Sequence, residues 1–181
     1  MECLFLQEGI KVNLKELTET IIRELDEKQD ENILTRIKGY INRGYKELAK
    51  KEEVEKSTTM NVTNTFTKPD DLVKIVQILD KNYRPIDYSY EGTRIRVNYQ
   101  GEITLIYNYI PENLSNDNDV PETNIANEDF IINYAKWLYN LVEEEQETAK
   151  IYKVEYEGMN IIKNNYKMTT TIDVYGGEFD V

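Results

Sequence analysis

Residues 103–141, ITLIYNYIPENLSNDNDVPETNIANEDFIINYAKWLYNL, do most to limit how the chain folds, because they run from an alternating strand directly into the most apolar helical pattern. Ile103, Leu105 and Tyr107 alternate with Thr104, Ile106 and Asn108, a β-branched and aromatic run that predicts a strand stopping at Pro111. Asn116, Asp117, Asn118, Asp119 and Pro121 then favour turns, since short polar side chains bond to nearby backbone and proline fixes φ. Phe130, Ile131, Tyr134, Trp137, Leu138 and Leu141 recur at i, i+3, i+4 and i+7, which predicts a core helix carrying the only Trp. Asn127 is its expected cap, with Glu128 and Asp129 complementing the helix dipole.

The chain has 181 residues, within the roughly 100–200 expected of one domain. Its net charge of −12 makes whole-surface attraction to DNA or an anionic membrane unfavourable. No run reaches the roughly 18 apolar residues a membrane helix needs, and the opening MECLFLQEG lacks a basic signal-peptide start, so the expectation is a soluble intracellular chain. A single cysteine, Cys3, excludes an intrachain disulfide framework or a cysteine-rich zinc site. There is no histidine, so the side chain that titrates nearest neutrality is missing as acid, base or metal ligand. No GxxxxGK[ST], GxGxxG or GxSxG sequence occurs. We therefore expect no enzyme, no catalytic or metal residues and no cofactor.

Along the chain, Leu14, Leu17, Ile21, Ile22 and Leu25 predict a first amphipathic helix over 13–26 capped by Asn13. Ile33, Ile37, Tyr40, Ile41 and Leu48 predict a second, starting at Asp30 or Asn32 and running to about Lys51. Together they form an αα-hairpin. Gly39 and Gly44 inside the second helix cost about 1 kcal/mol each relative to Ala, so a closely packed partner is expected there. Residues 52–57 (EEVEKS) are a charged exit, 58–66 (TTMNVTNTF) are Thr- and Val-rich and suit an extended segment, 68–71 (KPDD) form a turn, and strands follow over 72–79 and 84–90. Ile95, Val97 and Tyr99 precede Gln100-Gly101, which predicts a hairpin with the Ile103 strand. Ala149, Tyr152, Tyr156 and Met159 predict a fourth helix ending near Lys163.

The expected fold class is α+β and predominantly helical. About four helices form a bundle, a small antiparallel sheet or hairpin is inserted between the second and third, and an extended C-terminal arm follows. Residues 1–165 make the single domain and 166–181 the arm. In the arm Met168, Thr170, Ile172 and Val174 alternate with Thr169, Thr171, Asp173 and Tyr175. Tyr166, Met168, Ile172, Val174 and Tyr175 are the residues expected to bind a neighbouring protein, by strand addition to an exposed edge. Arg36, Arg43, Lys46, Lys50 and Lys51 form the densest basic cluster, a candidate subunit interface in an otherwise acidic chain. Asn116–Asp119 does not complete a calcium loop, because Val120-Pro121 breaks the EF-hand order. The fourteen tyrosines suit cores and subunit contacts better than base stacking, since no basic groove accompanies them.

The order of these features resembles the head–tail connector proteins of tailed bacteriophages, also called adaptor or head-completion proteins. The matching residues are Asn42, Gly44, Tyr45, Glu47 and Leu48 in the second helix, then Pro69, Asp71 and Leu72. The last group is Tyr107, Pro111, Leu114, Asp117, Asp119 and Pro121, and the likeness spans about residues 13–163. The chain departs from the family at the end of its second helix, which lacks the usual apolar residue, and in its last eighteen or so residues. The resemblance implies a homo-oligomeric, dodecameric ring without enzymatic activity, docked beneath the portal protein and followed by the next tail or stopper protein. DNA would pass through the lumen without specific binding. The implied location is the virion head–tail junction, and the host cytoplasm during assembly. The alternative from composition is an acidic interaction or regulatory protein that masks a partner's basic surface, as a DNA mimic or anti-repressor would.

Overall fold

A computed structural model describes residues 11–123 and 125–161. Four helices and a four-stranded antiparallel sheet make an α+β fold, with the sheet inserted between the second and third helices. The first helix, α1 (Leu14–Glu24), starts at a complete capping box. The Asn13 side chain accepts from the Glu16 amide, and the Glu16 carboxylate accepts from the Asn13 amide. The second, α2 (Glu31–Glu52), is capped by Asp30, which accepts from the amides of Asn32 and Ile33. Of the two starts the sequence allows, Asp30 is the one used.

Four strands follow: β1 (Glu55–Thr67), β2 (Leu72–Asp80), β3 (Tyr88–Glu91) and β4 (Arg94–Tyr109). β4 is central, pairing with β1 along one side and with β2 and β3 along the other. The hairpin expected at Gln100-Gly101 does not form. Gly101 lies within β4 at φ +137, opposite Val62, and the Tyr99 ring packs 3.3 Å from where a Cβ would be. Glycine at such a φ continues a bent strand, and an aromatic neighbour restores the packing that it lacks. The turn is instead at Gly92, φ +63, between β3 and β4. The strand expected over 84–90 shrinks to β3, with Pro85 contributing one isolated bridge to Leu79. Proline has no amide to continue a ladder.

The last two helices are α3 (Glu128–Val142), led in by a short 3-10 turn (Ile125–Asn127), and α4 (Gln146–Gly158). The buried face of α3 is made by Phe130, Ile131, Ala135 and Tyr139, joined by Lys136 and Asn140. It is rotated from the expected stripe: Trp137 and Leu138 are half-buried, and Leu141 is 47% exposed. Asn127 holds the N-cap position of α3 as expected but makes no side-chain capping hydrogen bond, and its Nδ2 donates to the buried Glu52 carboxylate at 2.7 Å. Gly44 does meet a tight partner, with a Cβ there 3.3 Å from the Ile131 carbonyl oxygen, whereas Gly39 faces open space. α4 ends at Gly158, five residues before the expected Lys163. The arm, with Tyr166, Met168, Ile172, Val174 and Tyr175, lies outside the described residues, as does Cys3.

The apolar residues gather in two clusters. Helical side chains such as Leu17, Ile41, Leu48, Phe130 and Ile131 form one, while Ile75, Ile78, Ile95, Val97, Ile103 and Leu105 form another within the sheet. The partly buried residues around the sheet cluster, Met60, Ile86, Tyr99 and Tyr109, all come from the strands or their connections. Along β4 the burial alternates, and Ile95, Ile103 and Leu105 are fully buried. These residues share the apolar face of the sheet, and register shifts interrupt the ladders that β1 and β2 make with β4.

Candidate functional site

Between the two clusters lies the connection 110–123, and polar side chains lash it to both. Asn42 on α2 holds Leu114 from two sides. Its carbonyl accepts from the Leu114 amide at 2.7 Å, and its amide donates to the Leu114 carbonyl at 3.0 Å. The Tyr45 hydroxyl accepts from the Glu122 amide at 3.0 Å, and burial pushes that phenol up to about 12. The first amides of α1, those of Leu14 and Lys15, donate to the carbonyls of Asp119 and Asp117 at 2.8 and 3.0 Å. A helix start thus satisfies its free donors on a neighbouring loop. Asp119 shapes that loop, accepting from the amides of Ser115 and Asn116, and its carboxyl is held below its ordinary value by the Asn116 and Ser115 amides. The Tyr107 hydroxyl donates to Asp71 at 3.0 Å, and Asp71 also pairs with Lys56.

The basic residues of α2 fall into a stripe. Arg36, Arg43 and Lys50 are seven residues apart, so at about 100° per residue they stay on one side of the helix, with Lys46 beside them. Each already has an intramolecular contact except Lys46, for which none is seen among the described residues. Arg36 pairs with Glu143 at the end of α3 and lies over the Tyr139 ring; the Glu143 hydrogen bond raises its pKa. Arg43 lies over Tyr40, Lys50 pairs with Glu47, and Lys51 sits 5.0 Å over the Phe130 ring. Arg43, Lys46 and Lys50 thus share a surface, and Arg36 also ties α2 to α3. Pairs this exposed contribute little to folding, which leaves the cations free to exchange partners.

A second charged surface is visible only in three dimensions. Tyr45, Lys56 and the end of β4 border an open cleft of about 760 Å³ lined by Glu55, Asp70, Asp71, Glu112, Asp119 and Glu122. Among the described residues, Lys56 is its one basic lining residue. These carboxylates come from four separate stretches of sequence, so no local pattern could have signalled the cleft. Tyr45 is nine residues on from Arg36 and emerges about half a turn round the helix. The basic stripe and the acidic cleft therefore lie on opposite sides of α2. Among the described residues, no three Asp, Glu, His or Cys side chains are grouped so as to hold a metal ion, and no helix is long and apolar enough to cross a membrane.

Compared with known proteins, the chain matches no family model and no curated sequence.

Proposed function

We propose that the chain is a non-enzymatic structural protein of a tailed-phage virion, forming a ring beneath the portal that joins the DNA-filled head to the tail and lets the genome pass. The observation that carries this reading is the convergence of the motif residues. Asn42, Tyr45, Leu114, Asp117 and Asp119 are spread over much of the chain, yet they meet in one joint that fastens the 110–123 connection to α1 and α2. Asp71 and Tyr107 meet each other at the adjoining end of the sheet. Residues quoted only for their order thus have a common structural task, which supports a shared architecture with the connector family.

The charged surfaces fit the same reading. A closed ring of identical copies joins two different faces of each protomer, and a basic stripe opposite an acidic cleft supplies such a pair. An acidic chain lining the lumen would repel the DNA backbone and so avoid the phosphate contacts that would hold the genome back.

The test is native mass spectrometry and electron microscopy of the purified chain, alone and with a portal ring. The expected result is a ring of copies, formed freely or on the portal, and its loss in an Arg43→Glu/Lys46→Glu variant whose circular dichroism is unchanged. A chain that stays monomeric with portal at both low and physiological salt would overturn the proposal. So would a stable one-to-one complex with a basic DNA-binding protein, the outcome expected of an acidic mask.

A further inference from the structure

We propose that the outer edge of β1 is a second joint between copies, beside the charged faces, and that its occupant is residues 167–175 of a second copy of this chain; this rests on the self-assembly proposed above. β1 runs from Glu55 to Thr67 with β4 on one side, and among the described residues no strand lies on the other. Exposed edges are normally guarded by charge, proline, bulges or a covering segment. β2 is guarded in this way, by two register shifts and by the returning chain, where the Ile86 amide donates to the Ile78 carbonyl and the Asp80 amide to the Arg84 carbonyl. β3 is only four residues long. β1 differs: in a chain of 31% charged residues, nothing from Ser57 to Thr67 carries a charge, and its one shift lies toward the far end, at Thr63/Thr65.

The occupant follows from pattern and charge. On β1, Ser57, Thr59, Asn61 and Thr63 are exposed, while Met60 and Val62 pack with the sheet's apolar cluster. In residues 168–175 one alternate set reads Met, Thr, Ile, Val and the other Thr, Thr, Asp, Tyr. Laid beside β1, the first set extends the apolar face and the second the hydroxyl-bearing face, so both faces of the sheet continue across the joint. Residues 168–172 are uncharged, which matters between copies that each carry −12. Residues 162–166 tether the segment to Ile161 by a leash on the order of 20 Å if extended. It leaves from α4, which packs chiefly on α3, whereas β1 packs on β4 in the other cluster. The edge of a copy alongside is therefore the fitting acceptor.

The experiment is hydrogen exchange on the full-length chain over a concentration series, reading amides 55–67, with a Thr170→Pro/Thr171→Pro variant in parallel. Adjacent residues of a strand turn their amides to opposite sides, so the double substitution removes a ladder donor whichever side meets the edge. Exchange along β1 should slow by about tenfold or more as the chain assembles. In the proline variant that protection and the self-association should both be lost, with the melting temperature of the isolated chain unchanged. A Thr59→Lys/Asn61→Lys variant, charged at two exposed positions of β1, should lose assembly in the same way. Protection already complete at the lowest concentration would mean the chain's own segment fills the edge and would overturn the proposal. So would β1 amides that stay fast in the assembled protein, or full assembly by the proline variant. Portal-bound rings of that variant would leave the connector reading standing without this joint, whereas β1 protection without any portal-bound ring would do the reverse.

Discussion

Asn42 and Leu114, far apart in sequence, are joined by two hydrogen bonds that use both backbone polar groups of Leu114 and both ends of the Asn42 amide. The side chain acts as one rung of a ladder between α2 and the 110–123 connection. Replacing Asn42 with Ala strands both groups of Leu114, whose side chain is buried, at an expected cost of about 1–3 kcal/mol. Urea unfolding would measure it. Asn42→Asp keeps the acceptor but not the donor and should fall between the two.

Trp137 and Phe130 separate the edge of the helical core from its centre. Phe130 is fully buried, while Trp137 is half-buried and meets Tyr134 and Tyr156 with ring centroids 5.2 and 5.3 Å apart. The periodicity of α3 places Trp137 on the core stripe, where truncation would cost a full core residue. The rotated face lowers that expectation to about 2 kcal/mol for Trp137→Ala, against about 3–5 kcal/mol for Phe130→Ala. Thermal melts of the two variants should differ in that order.

That rotation shows where sequence was legible. The caps Asn13 and Asp30, the turn at Lys68–Asp71 and the apolar stripes of α1 and α2 are local signals, and all appear in the structure. What failed depended on distant partners. Gln100-Gly101 reads as a turn until β1 is known to pair through it, and Asn127 reads as a local cap although its side-chain amide is tied to the distant Glu52 carboxylate. Lys136 enters the buried face because Glu24 on α1 pairs with it at 2.5 Å and the Tyr152 ring lies beside it. The candidate stripe on α2 was legible because one helix carries it, while the acidic cleft was not.

The two glycines of α2 should respond oppositely to alanine. At Gly39 a methyl meets open space, so Gly39→Ala gains helix propensity and should stabilise by about 0.5–1 kcal/mol. At Gly44 the methyl would lie 3.2 Å from the Tyr134 ring and 3.3 Å from the Ile131 carbonyl oxygen. The latter belongs to the packed backbone of α3 and yields only if the helices part, so Gly44→Ala should destabilise despite its better propensity. A higher melting temperature for both would mean α2 and α3 are free to separate.

Acid should reveal the part Asp119 plays in holding the 110–123 connection. Its carboxyl is lowered from 3.8 because the amides of Asn116 and Ser115 bond to the charged form. A carboxylate with a depressed folded value binds its proton more weakly when folded. Its contribution is therefore complete above 3.8 and is lost as the pH falls through the lower folded value. Asp119→Asn, which resembles the protonated acid, should melt below wild type at about pH 7, and the gap should close as the pH falls through the lowered folded value. Glu128 behaves in the opposite sense, since burial raises its carboxyl and the Val12 amide only partly offsets that. Its charge costs stability as the pH rises above its ordinary 4.5, so Glu128→Gln should melt higher than wild type near neutrality and lose that advantage in acid. Melting curves of wild type and both variants across this range check the two signs together. A gap for Asp119→Asn that is the same in acid as at neutrality would show that the loop depends on the shape of the side chain and not on its charge.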